Sequence, residues 1–568
     1  MSPFLVFLTL VACRQDLDVG DDTAGETGGT DVQTWDPRFD ELSETLQEDL
    51  EASDAAGISV AVMEGGEITY AAVFGSAHPD EEQALSTSTL FQLGSTTKML
   101  TAMALLQQVE ADRVGLQDSL ATAYPDSDFE LDEDWNDQLT LEHLLTHQGG
   151  FYDYIDWAAS AEDSDLVDWH DDVFFPYLWL MNPPGLFWNY SNPNYNLAGL
   201  VAEHHDGQGY VDLMNEDIFV PLGMDRTYQR RSDAEADGDY ALGVGYLEGT
   251  NDWEYGTVEL DDVSDPAHSR PAGSGTWSTP SQVMEVARFL MECDSVILDP
   301  AHCEAMTGAQ VPLHNASEDW SYGYGLLVGP GTYVEEEYQQ VEVWSHNGMT
   351  LSYTAEFLVL PEHDFAISVL TSGYGVDLSA SLSTAMATLV DLGEPEDEPT
   401  YAFDPDRLDD HVGTYDDIYN VGEMVIDRHG DTLVISMPYL EELGYEVWPE
   451  LYTISDTVFY LSLDEVWYDL TFIGEPGSPS GYVRNRSFVG TRVEDGGDSG
   501  DTGSTDSGDT DTSDTGSRSG PPAAPTATPS VAGVPRLDLG QVPLATTLAR
   551  GRLPSHPQHL PPPPSSED

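Results

Sequence analysis

The chain contains one lysine, Lys98, in the run Phe91-Gln92-Leu93-Gly94-Ser95-Thr96-Thr97-Lys98-Met99-Leu100, three residues after Ser95. Met99, Leu100, Ala102, Met103, Leu106 and Val109 follow as an apolar stripe at helical spacing, and Gly115 closes the pattern after Arg113. The run reads as a helix that opens near Ser95 and sets serine and lysine one turn apart on one face. Ser95 would stand at the positive end of the helix dipole, which favours an alkoxide-like oxygen. A serine hydroxyl becomes a nucleophile when a nearby base takes its proton. An amine can be that base if desolvation or a neighbouring cation lowers its pKa. A serine N-cap followed by a surface lysine leaves the same trace, so this stretch alone does not separate the two readings.

A chain of 568 residues is too long for one compact core, which implies two or more domains with tails. Asp and Glu number 104 against 18 Lys and Arg, a net charge of −86. Phosphate binding needs clustered cations, so nucleic acid is excluded as a partner. A carboxylate-rich surface suits a salt-rich habitat, where it stays hydrated and counterions screen its self-repulsion. The apolar run Phe4 to Ala12 is too short to span a bilayer and ends at Cys13. Leu10-Val11-Ala12-Cys13 resembles the lipobox of bacterial lipoproteins, in which the cysteine carries the lipid. Residues 1–12 then read as a signal peptide, though Met1-Ser2-Pro3 lack the usual positive charge. Residues 13–36 read as the lipidated Cys13 and an acidic, solvated tether. The implied location is the bacterial cell envelope, periplasmic or outer face, with the membrane reached through the lipid anchor. Cys293 and Cys303 form a disulfide or stay as thiols; export permits the first, and the sequence allows both.

Residues 37–394 read as one α/β domain of the α+β type: an antiparallel sheet flanked by helices, with a helical lobe. It opens with an amphipathic helix, Phe39 to Glu51. Strand-like runs 57–63 and 68–75 follow, joined by the hairpin signal Glu64-Gly65-Gly66-Glu67. Leu139 to Leu145 reads as a short helix, residues 151–180 as a helical insertion near the cleft, and runs 323–328, 354–359 and 366–371 as strands. Residues 400–495 switch to short alternating runs, 423–426, 433–437, 446–451, 458–463, 467–472 and 481–489, the mark of a small all-β barrel or sandwich. The Asp/Gly/Ser/Thr tract 496–517 and the Pro-rich end 518–568 read as disordered; the tract lacks the glutamate that closes a calcium loop.

Two further stretches carry polar chemistry. Pro184-Gly185-Leu186-Phe187-Trp188-Asn189-Tyr190-Ser191-Asn192 is a turn that feeds an Asn/Tyr cluster and then an apolar helix. A phenol beside a lysine cation has its pKa lowered and can shuttle protons. In Val343-Trp344-Ser345-His346-Asn347-Gly348-Met349, the glycine lets backbone approach a ligand, and a nearby N–H can complete an oxyanion hole.

Ser95-Thr96-Thr97-Lys98, Tyr190-Ser191-Asn192 and His346-Asn347-Gly348, in this order, resemble the serine β-lactamase and penicillin-recognising hydrolase superfamily, in its class C-like branch of DD-carboxypeptidases, D-aminopeptidases and esterases. Leu144-Leu145-Thr146-His147-Gln148-Gly149-Gly150 and Pro271-Ala272-Gly273-Ser274-Gly275 support it, and residues 400–495 resemble the lipocalin-like β-domain of some members. The resemblance implies that Ser95 forms an acyl-enzyme, with Lys98 and Tyr190 sharing the proton work. It implies an oxyanion hole from the N–H groups of Ser95 and Met349, an amide-holding Asn192, and His346 and Gly348 along the substrate edge. His147 reads as structural. No cofactor or metal is implied, the partner is a small-molecule or peptide substrate, and the oligomeric state is left open. His346 where lysine is common tilts the expected activity from β-lactamase toward peptidase or esterase, because histidine is mostly neutral at pH 7. A β-lactamase proper and a non-catalytic sensor of cell-wall peptides are the alternatives. The charge balance generates one prediction: activity and melting temperature rise with added KCl up to molar levels. A flat response would contradict it.

Overall fold

The computed structural model describes residues 36–493, apart from 81–82, 126–134, 136–137, 154–164, 176–179, 247–253, 264, 316–318, 398, 402 and 465. The segments expected to be signal peptide (1–12) and tether (13–36, all but its last residue), Cys13 included, and the tail from 494 lie outside the described residues.

Burial separates the strands of the first sheet. Strand β1 (Gly57–Glu64) is buried almost throughout, whereas β2 (Glu67–Gly75) alternates and ends exposed, as an edge strand should. The six further strands are β3 (Val311–Pro312), β4 (Ser321–Tyr322), β5 (Leu327–Gly329), β6 (Val343–Met349), β7 (Thr354–Leu360) and β8 (Phe365–Thr371). They pair antiparallel in the order β2-β1-β8-β7-β6-β5-β4-β3. Since β1 lies against β8, the two ends of this domain meet, and helix α1 (Asp40–Ala52), with Leu42, Leu46 and Leu50 on one face, packs on the last helix (Ser379–Leu389). The helical lobe centres on α2 (Thr97–Glu110) and α3 (Asn192–Asp206), which pack together. Helix α4 (Pro280–Glu292) covers β1 and β8, capped by the Thr279 side chain.

Helix α2 departs from the expected stripe. Thr97 to Leu106 are all buried, so the helix is enclosed on every side over its first three turns. It stops at Glu110 rather than near Arg113, because Asp112 takes the left-handed conformation (φ 54°). The expected strand 323–328 is mostly a turn. Gly325 sits at φ 84° with its backbone against the Lys98 carbonyl, and pairing begins only at Leu327.

The second domain has its own core, from Leu408 to Phe488. Its strands are β9 (Gly413–Asp417), β10 (Gly422–His429), β11 (Thr432–Ser436), β12 (Tyr452–Thr453), β13 (Val458–Leu463), β14 (Val466–Ile473), β15 (Tyr482–Asn485) and β16 (Phe488–Arg492). Their order is β11-β10-β9-β16-β15-β14-β13-β12. The Ile435 N–H donates to Pro449 O at 2.7 Å and the Leu451 N–H to Leu433 O at 3.0 Å, so the two edges meet in a near-barrel that fits the lipocalin-like expectation. The expected strand 446–451 is this irregular closing segment, and a helix, Pro438–Leu443, precedes it. The expected single run 481–489 is a hairpin instead: β15 and β16 turn at Arg486-Ser487.

The domains dock through Tyr152, Met181 and Phe187 of the first and Val489 of the second, flanked by Tyr419, Ile473 and Tyr482. Arg484, fully buried, donates to His314 O at 2.8 Å and to Leu313 O. The second domain thus rests on the loop that leads to Tyr190.

Cys293 and Cys303 are bonded, Cα atoms 5.7 Å apart, which resolves the choice the sequence left open. The bond ties the end of α4 to the helix Pro300–Thr307. Replacing both cysteines by serine is expected to lower the unfolding free energy by about 2–4 kcal/mol through lost restraint of the unfolded chain. Urea unfolding reads this; an unchanged midpoint would contradict it.

Candidate active site

Three separate stretches converge on Ser95. The first is the Ser95–Lys98 turn, where a short 3-10 segment (Gly94–Thr96) runs into α2. Gly94 has φ 53°, and a Cβ there would meet Met349 N at 2.6 Å; a Cβ on Gly348 would overlap Leu93 O. Both glycines are therefore needed for β6 to lie against the backbone before Ser95. This approach puts Ser95 and Met349 on the wall of one cavity, as an oxyanion hole between their N–H groups requires.

The second stretch is the loop before α3. Lys98 is 0% exposed, and its Nζ lies 3.0 Å from Ser95 Oγ, 2.8 Å from Asn192 Oδ1 and 2.7 Å from Ala272 O. Nζ donates to Asn192 Oδ1 and Ala272 O, and its third position meets the Ser95 hydroxyl, the group it would deprotonate. Burial pushes the Lys98 pKa well down, and the Arg486 charge lowers it further against the opposing pull of Asp153. No carboxylate contacts the amine among the described hydrogen bonds and ion pairs; the nearest acid it feels is Asp153. Asn192 begins α3, so its first task is to hold the lysine, and its N–H donates to Asp153 Oδ1 at 2.8 Å.

Burial raises the Tyr190 pKa and is the larger effect; the Ser95 hydroxyl beside the phenol pulls it down. The lowered phenol expected beside a lysine cation is therefore corrected: burial outweighs the Arg486 charge, which pulls the other way, and the Tyr190 pKa rises. His147 packs tilted against Tyr190, ring centres 4.2 Å apart, and its Nδ1 accepts from the Ser191 N–H at 3.2 Å.

The third stretch departs from expectation. His346 is 2% exposed, its Nε2 lies 3.1 Å from the Tyr322 hydroxyl, and burial first, then the Lys98 amine, pushes its pKa down to about 3. It is neutral throughout the physiological range. Neither His346 nor Gly348 lines the cavity beside Ser95; the histidine braces the wall behind Tyr190, and the glycine serves close packing.

The cavity itself lies on the Asn192 side, walled by Trp169, Val258, Val263 and Leu351. Trp169 comes from the expected helical insertion, of which Asp165–Trp169 and His170–Phe174 are described as helical. Asn196 Oδ1 and His268 Nδ1, both on residues lining the cavity, are buried without a hydrogen-bond partner.

A family model described as beta-lactamase matches residues 42–388. The chain belongs to the beta-lactamase family. Penicillin-binding protein 4* of Bacillus subtilis (strain 168) is 26% identical over 463 residues, covering 77% of this chain and 94% of that protein. Two solved structures share the fold. The octameric penicillin-binding protein homologue from Pyrococcus abyssi has a TM-score of 0.53 at 20% identity, covering 80% of this chain and 99% of its own. D-amino acid amidase from Ochrobactrum anthropi SV3 has 0.52 at 21%, covering 62% and 99%. The family makes the protein a hydrolase of the β-lactamase fold, a fold that the two solved structures share.

Sequence reasoning missed Ala272, Asp153 and Arg486. Ala272 acts through its carbonyl, to which no side-chain pattern points, although it lies in the quoted Pro271–Gly275 run. Asp153 sits among many carboxylates, and Arg486 lies 388 positions from Lys98 in another domain.

The buried amine generates a stability prediction. Its folded pKa is depressed below the unfolded value near 10.5, so between the two the unfolded state binds more protons and stability rises with pH. Wild type should gain stability relative to Lys98→Met as pH climbs from 7 toward 10. Urea midpoints that move in parallel would contradict it.

Proposed function

We propose that this hydrolase cleaves an amide or ester bond through an acyl-serine intermediate at Ser95, in the manner of a DD-peptidase, D-aminopeptidase or esterase. The observation that carries the reading is the fully buried Lys98 amine 3.0 Å from Ser95 Oγ, held there by Asn192 Oδ1 and Ala272 O.

Ser95 Oγ attacks the carbonyl carbon while its proton passes to Lys98 Nζ. The carbonyl oxygen, now negative, is met by the Ser95 and Met349 N–H groups. The bond to the leaving group breaks, and that group takes the proton from Lys98 by way of the Tyr190 hydroxyl. Water then attacks the acyl carbon and gives a proton to the same pair; the bond from that carbon to Ser95 Oγ breaks, and the pair returns the proton to Oγ, which frees the serine hydroxyl and the acid. The acyl portion lies in the cavity, whose Trp169, Val258 and Val263 walls favour an apolar or aromatic group.

The neutral, enclosed His346 supports a peptidase, amidase or esterase over a β-lactamase proper, because it supplies no charge to a ring carboxylate. A non-catalytic peptide sensor on the same fold would have no use for a base held this way. That the relatives include a penicillin-binding protein and an amide-cleaving enzyme supports the amide side of the choice.

The test is covalent labelling and a substrate panel of p-nitrophenyl esters, D-amino acid amides, D-Ala-D-Ala peptides and nitrocefin. Wild type should gain one fluorophosphonate adduct, lost in Ser95→Ala, and Ser95→Ala should lower kcat at least about a thousandfold, as for other acyl-enzyme nucleophiles. No adduct at low or high salt would leave the sensor; nitrocefin turnover matching the best ester would favour the β-lactamase.

A further inference from the structure

The second domain reaches the catalytic centre through Arg486. The β15–β16 turn carries Arg486 to Tyr190, where its guanidinium carbon lies 4.4 Å from the ring centre. Its Nε donates to Asp153 Oδ2 at 3.0 Å, and its Nη2 lies 2.9 Å from the same oxygen. The other oxygen of Asp153 accepts from the Asn192 N–H, and Asn192 holds Lys98. One polar chain therefore runs Arg486, Asp153, Asn192, Lys98, Ser95. Lys98 Nζ lies 5.0 Å from the same Tyr190 ring centre, which places it within the Debye length of 0.1 M salt, about 10 Å, of the Arg486 guanidinium. The second domain also grips the Tyr190 loop from behind, through Tyr482 against Phe187 and the Arg484 guanidinium 5.6 Å from the Trp188 ring centre.

We propose that Arg486 is a positioning residue of the active site: delivered by the second domain and paired with Asp153, it fixes Tyr190 and Asn192 and sets the charge around Lys98. The role rests on the acyl-serine reading above and gives the β-domain a part in the first domain's chemistry.

The groups that face Lys98 are few. Tyr190 and Tyr195 present their rings, His147 and His346 are held neutral by burial, and Arg486 and Asp153 are the charged pair. Arg486 lowers the lysine pKa and Asp153 raises it, so the two have opposite signs. Removing Arg486 leaves the Asp153 charge uncompensated and favours the protonated amine, which is not a base. Removing the Asp153 charge does the reverse.

The experiment is the pH profile of kcat/KM for a neutral ester in the full chain, comparing wild type with Arg486→Gln, Arg486→Lys and Asp153→Asn. Arg486→Gln is expected to move the acid limb to higher pH, lowering kcat/KM about tenfold on that limb and far less on the plateau. Arg486→Lys should restore most of the limb, and Asp153→Asn should move it to lower pH. Two results overturn the proposal: a loss in Arg486→Gln that is equal at every pH, or one confined to KM for substrates ending in a carboxylate. Should Arg486→Gln fail to fold, Asp153→Asn decides, since an unmoved or raised limb contradicts the assignment. A wild type that takes no fluorophosphonate would sink the acyl-serine reading instead, which keeps the two failures apart.

Discussion

An ammonium group cannot be buried alone at low cost, and the site is arranged around this constraint. Taking Lys98 into a helix that is enclosed on all sides removes its hydration. Most buried lysines recover part of that loss from a carboxylate. Here, in a chain with 104 acidic side chains, the amine instead meets an amide oxygen, a backbone carbonyl and a hydroxyl. Those partners carry no charge to offset the lost hydration, so burial pushes the amine pKa well down. The cost is spread over a core that runs from Phe39 to Met386, and a base results at a pH where free lysine is none.

The rest of the first domain follows from presenting that amine to one hydroxyl. Strands β7 and β8, buried along their whole length, fix β6, and β6 presses Met349 against Gly94. Helix α3 begins at Asn192 so that the residue gripping the lysine is set by helix packing rather than by a free loop. The Tyr190 loop is held from beneath by His147 and from outside by the second domain. Burial shifts the two groups in opposite senses, the phenol pKa up and the amine pKa down, which suits one to hold a proton and the other to take one.

How much of this the sequence discloses depends on how local the signal is. The hairpin at Gly65-Gly66, the Ser95–Lys98 turn and the paired β-strand runs at 354–359 and 366–371 are local patterns, and the structure contains each within a residue or two. The lone lysine made Ser95 legible for the same reason. What failed was non-local or lacked the usual turn residues. The β15–β16 turn is Arg486-Ser487, with no glycine and no Asn-Gly pair, so the stretch looked like one strand. His346 matched a motif position, yet its burial beneath Tyr190 and Tyr322 depends on packing that spacing does not encode. The Arg486–Asp153 pair joins two domains and has no sequence periodicity at all.

Because Lys98 is the only lysine in the chain, its ionisation can be read without ambiguity. Full-length protein grown with lysine carrying carbon-13 at the ε position gives one resonance, and its shift can be followed from pH 5 to 11. The account predicts a midpoint well below the ordinary lysine value of 10.5, with the amine uncharged at the pH of activity. A midpoint near 10.5 in the folded protein would contradict it, for Ser95 would then face a cation instead of a base.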